Sequence, residues 1–172
     1  MRKIIVVPYD ENWKAEFGQI KAELIAALEN CAVAIEHVGS TSVEGLAAKP
    51  IIDIDIIIKD YNYFETVKNK LFEIGYTYEG DLGVKDRHAF KYSDKLHLMK
   101  HHLYVCPEYS EELHRHIKFR DYLRSHPEDR DWYGEVKILA AKHYPEDIDS
   151  YMKAKHPCVR EIFGKCGIYY GG

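Results

Sequence analysis

An apolar segment interrupted by two acidic residues constrains the fold of this chain more than any other feature. The segment runs from Ile51 to Ile58 and is apolar on both alternating faces, apart from Asp53 and Asp55. A strand that is apolar on both faces is covered on both sides, so we expect a central strand in a sheet that has helices packed on it. Residues i and i+2 of a strand face the same way, with Cα atoms roughly 6.5 Å apart. The two carboxylates are therefore expected to stand side by side.

Two neighbouring carboxylates in an apolar strand repel each other and lose hydration. They must share a proton, pair with a basic group or bind a cation. Mg²⁺ suits the last solution because it takes carboxylate oxygens and completes its shell with water and substrate phosphates. The alternative is a structural ion-pair site, with Lys49, Lys59 or arginines of the C-terminal helices as partners.

A glycine and three small hydroxyl residues precede the acidic strand. Gly39 ends a predicted strand, and Ser40, Thr41 and Ser42 follow it. Such a turn lets backbone N–H groups bind a phosphate, and a helix that starts at Ser42 would assist. Gly-Ser turns are common, so the order and spacing relative to the aspartates make the phosphate-site prediction more specific than the turn alone. Lys49, just before the acidic strand, is a further candidate to pair with a phosphate oxygen.

Hydrophobic periodicity predicts a mixed sheet with flanking helices. Apolar positions three or four apart predict helices over residues 12–28, 64–74, 113–123, 132–143 and 148–163, whereas residues 32–38, 51–58, 76–78, 89–92 and 102–106 are predicted strands. We therefore expect one α+β domain over residues 1–172. Its sheet-containing part spans about 1–109 and its helical C-terminal part about 110–166.

Composition narrows the class of partner. The 172 residues include 24 Lys and Arg against 28 Asp and Glu, a formal net charge of −4 that gives no chain-wide attraction to nucleic acid or anionic lipid. No apolar stretch reaches the roughly 18 residues of a membrane span, so we expect neither a membrane protein nor a nucleic-acid partner. Scattered cysteines without a Cys-x-x-Cys pair favour reduced thiols in the cytoplasm; they are Cys31, Cys106, Cys158 and Cys166.

Several stretches of the chain resemble the GrpB family (UPF0157). The main ones read His-Val-Gly-Ser-Thr-Ser-Val over residues 37–43 and Gly-Leu-Ala-Ala-Lys-Pro-Ile-Ile-Asp-Ile-Asp over residues 45–55. The start, with Trp13 and Phe17 after Tyr9-Asp10, resembles the opening of the family. Residues 119–124, Phe-Arg-Asp-Tyr-Leu-Arg, with His-Pro at 126–127, resemble its later signature. The resemblance covers nearly the whole chain.

The resemblance implies a nucleotidyltransferase-like fold, because the family belongs to the nucleotidyltransferase superfamily. Enzymes of that superfamily transfer a nucleotidyl group from a nucleoside triphosphate to an acceptor, with two Mg²⁺ ions held by three carboxylates. Asp53 and Asp55 match the first two carboxylates, as catalytic and metal-binding residues. Ser40 matches the position that contacts phosphate. The acceptor implied is an unknown small molecule or macromolecule.

The third carboxylate is not evident from the sequence. The later strand that should carry it holds His102 and Tyr104 instead, which makes His102 a candidate metal ligand. Acids of the preceding segment are the other candidates; they are Glu79, Asp81 and Asp86. Ten histidines invite a zinc site, but no zinc signature is present, so surface or hydrogen-bonded histidines are the preferred interpretation.

A basic residue in the C-terminal part is predicted to face inward. Arg120 has the helical phase of Leu113, Ile117 and Leu123, so we expect it to point toward phosphates or toward the aspartates, with Lys137 of the next helix assisting. Two functions remain open. One is nucleotidyl transfer; the other is an inactive nucleotide- or metabolite-binding module, with a link to coenzyme A suggested because GrpB-like domains occur fused to dephospho-CoA kinase.

Overall fold

The chain folds into one five-stranded sheet and five helices in a computed structural model that describes residues 2–168. The strands are β1 (Ala34–Val38), β2 (Ile52–Ile58), β3 (Thr77–Gly80), β4 (His88–Lys91) and β5 (His101–Pro107). The helices are α1 (Asn12–Leu28), α2 (Phe64–Glu73), α3 (Glu111–Ser125), α4 (Pro127–His143) and α5 (Ile148–Lys165).

The sheet is mixed and has the strand order β1-β2-β5-β4-β3. β2 pairs antiparallel with β1 and parallel with β5, and the remaining neighbours are antiparallel. The acidic strand β2 therefore lies inside the sheet, as its two apolar faces predict. The α+β class, a mixed sheet flanked by helices, is confirmed.

One face of the sheet carries the main apolar core. Ile54 and Ile56 of β2 lie on this face and are fully buried against α1 and α2. α1 buries Trp13, Ile20, Leu24 and Leu28, the stripe that its sequence spacing predicts. Because side chains alternate along a strand, Asp53 and Asp55 are turned to the other face.

The other face of the sheet meets the helical C-terminal part. Ile57 of β2 and Cys106 of β5 pack there with Leu113 of α3. Helices α3, α4 and α5 share a further apolar cluster, which also takes in Val43 and Leu46 from the segment between β1 and β2. That segment is thus held by both parts of the protein, next to the acidic residues of β2.

One predicted helix start needs correction, and the hydroxyl segment after Gly39 takes the form of a turn. Ser40–Ser42 form a single 3₁₀ turn, which ends as the chain returns to extended backbone at Val43, so no α-helix begins at Ser42. α4 begins at Pro127, five residues before the predicted start, since proline fits the first turn of a helix.

The predicted domain, 1–172, also includes Met1 and residues 169–172, which lie outside the described residues. Within residues 2–168, no helix combines the length and apolar character needed to cross a bilayer.

Candidate functional site

Asp53 of the acidic strand contacts His102 of the neighbouring strand β5. The register of the parallel pair β2 and β5 places the two residues side by side, and Nδ1 of His102 lies 2.9 Å from Oδ1 of Asp53. The Asp53 side chain is 31% exposed and that of His102 is 48% exposed. The carboxylate of Asp53 therefore remains within reach of a ligand.

Asp55 is fully buried and is held by a histidine of α3. Nδ1 of His116 lies 2.6 Å from Oδ2 of Asp55, and Nε2 of the same ring lies 3.2 Å from Oε1 of Glu112. Burial lowers the pKa of His116, but the two carboxylates outweigh it and raise that pKa to about 10. Burial raises the pKa of Asp55 despite the His116 contact. At neutral pH the His116 ring is therefore protonated, and it lies between the acidic groups of Asp55 and Glu112.

The turn after β1 passes against Asp53 so closely that only glycine fits. Gly39 has φ +72, which side-chain-bearing residues rarely adopt, and a Cβ at this position would collide with Oδ2 of Asp53. The Ser40 hydroxyl that follows accepts a hydrogen bond of 2.7 Å from Nζ of Lys137. The turn, the first aspartate and a helical lysine are thus brought together.

The other two hydroxyls of the turn are engaged inside the protein. Oγ1 of Thr41 lies 2.9 Å from Nε2 of His37 and donates to the carbonyl of Ile51, and the Ser42 hydroxyl donates to the carbonyl of Gly39. Burial lowers the pKa of His37 to about 4, so its ring is neutral at pH 7. Of the three hydroxyl residues predicted to contact a phosphate, Ser40 therefore remains a candidate, while Thr41 and Ser42 shape the turn.

A cavity of about 410 Å³, here called the large cavity, opens beside the turn. Gly39, Ser40 and Asp53 line it together with lysines from three parts of the chain; these are Lys49, Lys137 of α4 and Lys155 of α5. Aromatic rings support the ammonium groups. Nζ of Lys137 lies 4.4 Å from the ring centroid of Tyr133, and Nζ of Lys155 lies 4.6 Å from that of Tyr151.

The lysines of the large cavity are poorly hydrated and repel one another. Burial, and then the charges of Lys155 and Lys49, hold the pKa of Lys137 well below its ordinary value. Burial and the charge of Lys49 lower the pKa of Lys155 to about 8. Burial and the repulsion between the lysines both oppose their protonated forms. An anion in the cavity would favour the protonated lysines and would be stabilised by them.

Arg120 faces inward, as its helical phase predicts, but toward another anion. Its Nη1 donates to Oε2 of Glu36 at 2.7 Å and to the carbonyl of His37 at 3.0 Å, and its Nε pairs with Asp121. It does not line the large cavity. The structure thus places Arg120 as a link between α3 and β1 rather than beside Asp53 or Asp55.

None of the three sequence candidates for a third carboxylate lines the large cavity. Asp86 accepts from the hydroxyl of Tyr61, Asp81 accepts from a backbone N–H of its own loop, and neither these two nor Glu79 line the large cavity. A further acid on this face is Glu112, which His116 separates from Asp55. Within residues 2–168, no three His, Cys, Asp or Glu side chains form a group that could hold a metal ion unaided.

Two side chains of the site escape the sequence prediction. Lys155 shares the buried stripe of α5 with Tyr151, Cys158 and Ile162, and a lysine on such a stripe is a recognisable signal. His116 lies one helical turn before Arg120, and this spacing places it on the inward face of α3. The sequence does not reveal that its partner is Asp55. Lys137 is predicted to assist, and the structure places it against Ser40.

Comparison with known proteins gives a consistent family. A family model described as GrpB protein matches residues 3–165. The UPF0157 protein BH1888 of Halalkalibacterium halodurans is 36% identical over 164 residues, which cover 92% of this chain and 80% of that protein. The crystal structure of the conserved protein GrpB from Enterococcus faecalis is 32% identical and has a TM-score of 0.79, with 94% of this chain and 98% of that chain covered.

Other relatives are longer than this chain. The UPF0157 protein YqkA of Bacillus subtilis is 31% identical over 159 residues, and the matched part spans 46% of its length. A dephospho-CoA kinase of Mycolicibacterium paratuberculosis is 25% identical over 181 residues, which cover 92% of this chain and 44% of the kinase.

A more distant likeness concerns the fold alone. The Cid1 poly(U) polymerase, in its MgGTP-bound crystal structure, has a TM-score of 0.53 at 12% identity, with 81% of this chain and 44% of the polymerase covered. The paired aspartates of β2, the glycine turn before them and the mixed sheet thus occur in a nucleotidyltransferase-like fold, and the chain belongs to the GrpB family.

Proposed function

We propose that this protein binds a nucleoside triphosphate with Mg²⁺ in the large cavity and transfers its nucleotidyl group to an acceptor oxygen. The observation that carries the proposal is the convergence of Lys49, Lys137 and Lys155 on the Gly39 turn, in the cavity that Asp53 also lines. The nucleotidyltransferase-like fold supports it, because the Cid1 poly(U) polymerase, which shares that fold, has been crystallised with MgGTP bound.

The charge balance of the cavity favours a polyphosphate over a neutral ligand. Charged hydrogen bonds from lysines to phosphate oxygens are among the strongest in proteins, and they replace the water that burial removes from Lys137 and Lys155. A volume of about 410 Å³ is within the usual range for small-molecule sites. We assign the distal phosphates to the lysines and to the backbone N–H groups of the turn at Gly39 and Ser40.

The side chains of the site fit one divalent ion, and the nucleotide would supply the remaining ligands of that ion. Oδ1 of Asp55 is buried without a hydrogen-bond partner among the described residues, and Asp53 is partly open to the cavity. Mg²⁺ is commonly bound through one or two carboxylates together with substrate phosphates. Asp53 and Asp55 would hold the ion, which when bound supplies positive charge that stabilises the attacking and leaving oxygens. A second ion would lack the third carboxylate of the superfamily.

The remaining chemistry is positioning by the protein. An acceptor oxygen forms a bond to the α-phosphorus while the bond from that phosphorus to the bridging oxygen breaks, and pyrophosphate leaves. The turn fixes the phosphates relative to Asp53, and His116 keeps the buried Asp55 in one orientation through its 2.6 Å contact. Lys137 and Lys155 balance the negative charge of the departing pyrophosphate.

A nucleotide-binding module without transfer activity is the second candidate. The observation that favours it is the register of β5, in which His102 lies beside Asp53 and Tyr104 beside Asp55, so that no acid of β5 faces the pair. Such a module would bind the triphosphate as an enzyme does but would release no pyrophosphate. The dephospho-CoA kinase relatives connect this candidate with a nucleotide-containing metabolite.

Calorimetric titration of ATP, GTP, CTP and UTP, with and without Mg²⁺, tests the binding step. We expect at least one triphosphate to bind more tightly with Mg²⁺, and Asp53→Asn to remove that Mg²⁺ effect. Lys137→Met should weaken binding by at least about tenfold, since a charge-assisted hydrogen bond is lost. Lys142→Met is the matched control, because Lys142 is an exposed lysine of the same helix.

Two outcomes of the titration would refute the site. One is that no triphosphate binds to the wild-type protein; the other is that Lys137→Met and Lys142→Met bind equally well. A pyrophosphate-release assay with a deproteinised cell extract as the source of acceptors then separates the two candidates. Release that Asp53→Asn abolishes supports transfer, whereas tight binding without release supports the module.

We place this function in the cytoplasm. The four cysteines are free thiols, and burial raises the pKa of Cys106 and of Cys158, which keeps both protonated and unreactive. Free, buried thiols agree with a reducing compartment.

A further inference from the structure

A second cavity, here called the small cavity, adjoins the acidic pair. It has a volume of about 170 Å³ and shares Gly39, Asp53 and His116 with the large cavity. Its remaining wall consists of Val38, Arg87 and Tyr104. A group bound in either cavity therefore lies beside the same carboxylate, Asp53, as the two substrates of a transfer reaction must.

Arg87 gives the small cavity its chemical character. Nε of Arg87 is buried and has no hydrogen-bond partner within residues 2–168. The guanidinium lies over the ring of Tyr104, with its central carbon 4.5 Å from the ring centroid. This cation–π contact holds the guanidinium beside Tyr104 in the wall of the small cavity.

An enclosed guanidinium donor without a partner is costly for the folded protein. Arginine stays charged at every accessible pH, so it cannot lower the cost by losing a proton. The planar fork of a guanidinium matches the oxygens of a phosphate or a carboxylate, which accept two parallel hydrogen bonds. The arrangement of Arg87 is therefore that of a binding residue whose oxyanion partner is not part of the chain.

The charges around the small cavity allow an anion next to Asp53. The guanidinium of Arg87 lies in the same wall of the small cavity as Asp53, so a permanent positive charge faces the carboxylate. The volume accommodates a single phosphate or carboxylate group and is smaller than the usual site for a whole nucleoside. The small cavity and the large cavity thus differ in the size of ligand that they admit.

We propose that the small cavity binds the oxyanion group of the acceptor, and that the acceptor is a small molecule with a hydroxyl close to a phosphate or carboxylate. The proposed function is the reason to call the bound molecule an acceptor. Arg87 is the reason to expect that it carries an anionic group. The hydroxyl oxygen forms the bond to the α-phosphorus, pyrophosphate leaves with the electron pair of the broken P–O bond, and the hydroxyl proton is released to water.

Titration of methyl phosphate and of acetate into the protein tests the anion site directly. Before each titration, a saturating concentration of an α,β-imido triphosphate analogue is added to fill the large cavity. We expect one of the two probes to bind at millimolar concentration, and Arg87→Gln to weaken that binding by at least about tenfold. Arg87→Lys, which keeps the charge but not the fork, should show an intermediate loss. The tighter probe decides between phosphate and carboxylate.

The control shows that a loss of probe binding is specific to Arg87. Arg160→Gln changes an exposed arginine of α5 and should bind the probe like the wild type. Circular dichroism of each variant verifies that it is folded.

Two results would overturn the inference: neither probe binds, or folded Arg87→Gln and Arg87→Lys bind the probe like the wild type. A protein that binds methyl phosphate through Arg87 but no triphosphate through Lys137 would retain the anion site and lose the proposed function. The opposite result would retain the triphosphate site and lose the acceptor site.

Discussion

Single side chains decide the charge state of the acidic strand. Asp55 is completely buried, and the ring that contacts its carboxyl group at hydrogen-bond distance comes from His116, 61 positions later in the chain. Without this ring the carboxylate would face the full cost of lost hydration, which exceeds the value of most surface ion pairs. His116 is therefore expected to matter for stability as well as for the site.

Removal of this ring should produce a pH-dependent loss of stability. We expect His116→Ala to lower the free energy of unfolding by about 3 kcal/mol at pH values below about 6.5, because it removes the charged partner of the buried Asp55. The folded pKa of His116, about 10, lies above its ordinary value of 6.5. Its stabilisation is thus complete below the ordinary pKa and is lost as the pH rises through the folded pKa. Urea unfolding across this range measures the difference.

His114→Ala provides the comparison for the histidine substitution. His114 is exposed on the same helix, so its removal should change the free energy of unfolding by no more than about 0.5 kcal/mol. A difference between wild type and His116→Ala that stays constant from acid to alkaline pH would contradict the assigned imidazolium.

At this scale the sequence predicts residue types better than partners. The side-by-side placement of Asp53 and Asp55 follows from strand alternation alone, and the Gly39 turn follows from residue order. The partners His116 and Lys155 depend on how helices pack on the sheet, which periodicity does not determine. Arg87 lies just before β4 in an irregular segment, where no periodic pattern marks a buried side.

Helices and strands are largely predictable, because each has an apolar stripe with the correct period. α1 has the predicted bounds, Asn12–Leu28. The start of α4 escapes prediction because its first turn, Pro127 to Arg130, is polar and shows no stripe. The 3₁₀ turn at Ser40–Ser42 has too few residues for any periodic signal.

Substitution of two glycines tests the fit between the turn and β2. Gly39→Ala should destabilise the protein by roughly 1–3 kcal/mol and abolish triphosphate binding, because the added methyl collides with the Asp53 carboxylate and the backbone is strained. Gly164→Ala meets no atom within 4 Å in α5 and should stabilise by up to about 1 kcal/mol. Thermal unfolding and calorimetry measure both effects. Normal triphosphate binding by Gly39→Ala would show that the turn does not contact the phosphates.

The large cavity belongs to neither part of the molecule alone. The sheet part supplies Ser40 and Asp53, and the helical part supplies Lys137 and Lys155. Sequence periodicity predicts both parts, but the way they meet depends on the apolar cluster around Val43, Leu46 and Leu123. The cavity is therefore a property of the assembled molecule.

A triphosphate that bridges the two parts should protect both of them from hydrogen exchange. We expect slower amide exchange in β2, α4 and α5 together, and a rise in Tm of about 5–10 °C at a ligand concentration of about 100 Kd. Lys137→Met, which is expected to bind at least about tenfold more weakly, should show weaker protection and no more than about half of this rise in Tm at the same concentration. Protection confined to the helices would contradict a site shared with the sheet.

The hydrogen bond between Lys137 and Ser40 also has a kinetic consequence. It joins residues 97 positions apart, and contacts of such long separation carry a large chain-entropy cost before they form. We expect this contact to be absent from the folding transition state. A ligand that stabilises it would then slow unfolding and leave the refolding rate nearly unchanged, so that the nucleotide would act on the lifetime of the folded chain rather than on the speed of its formation.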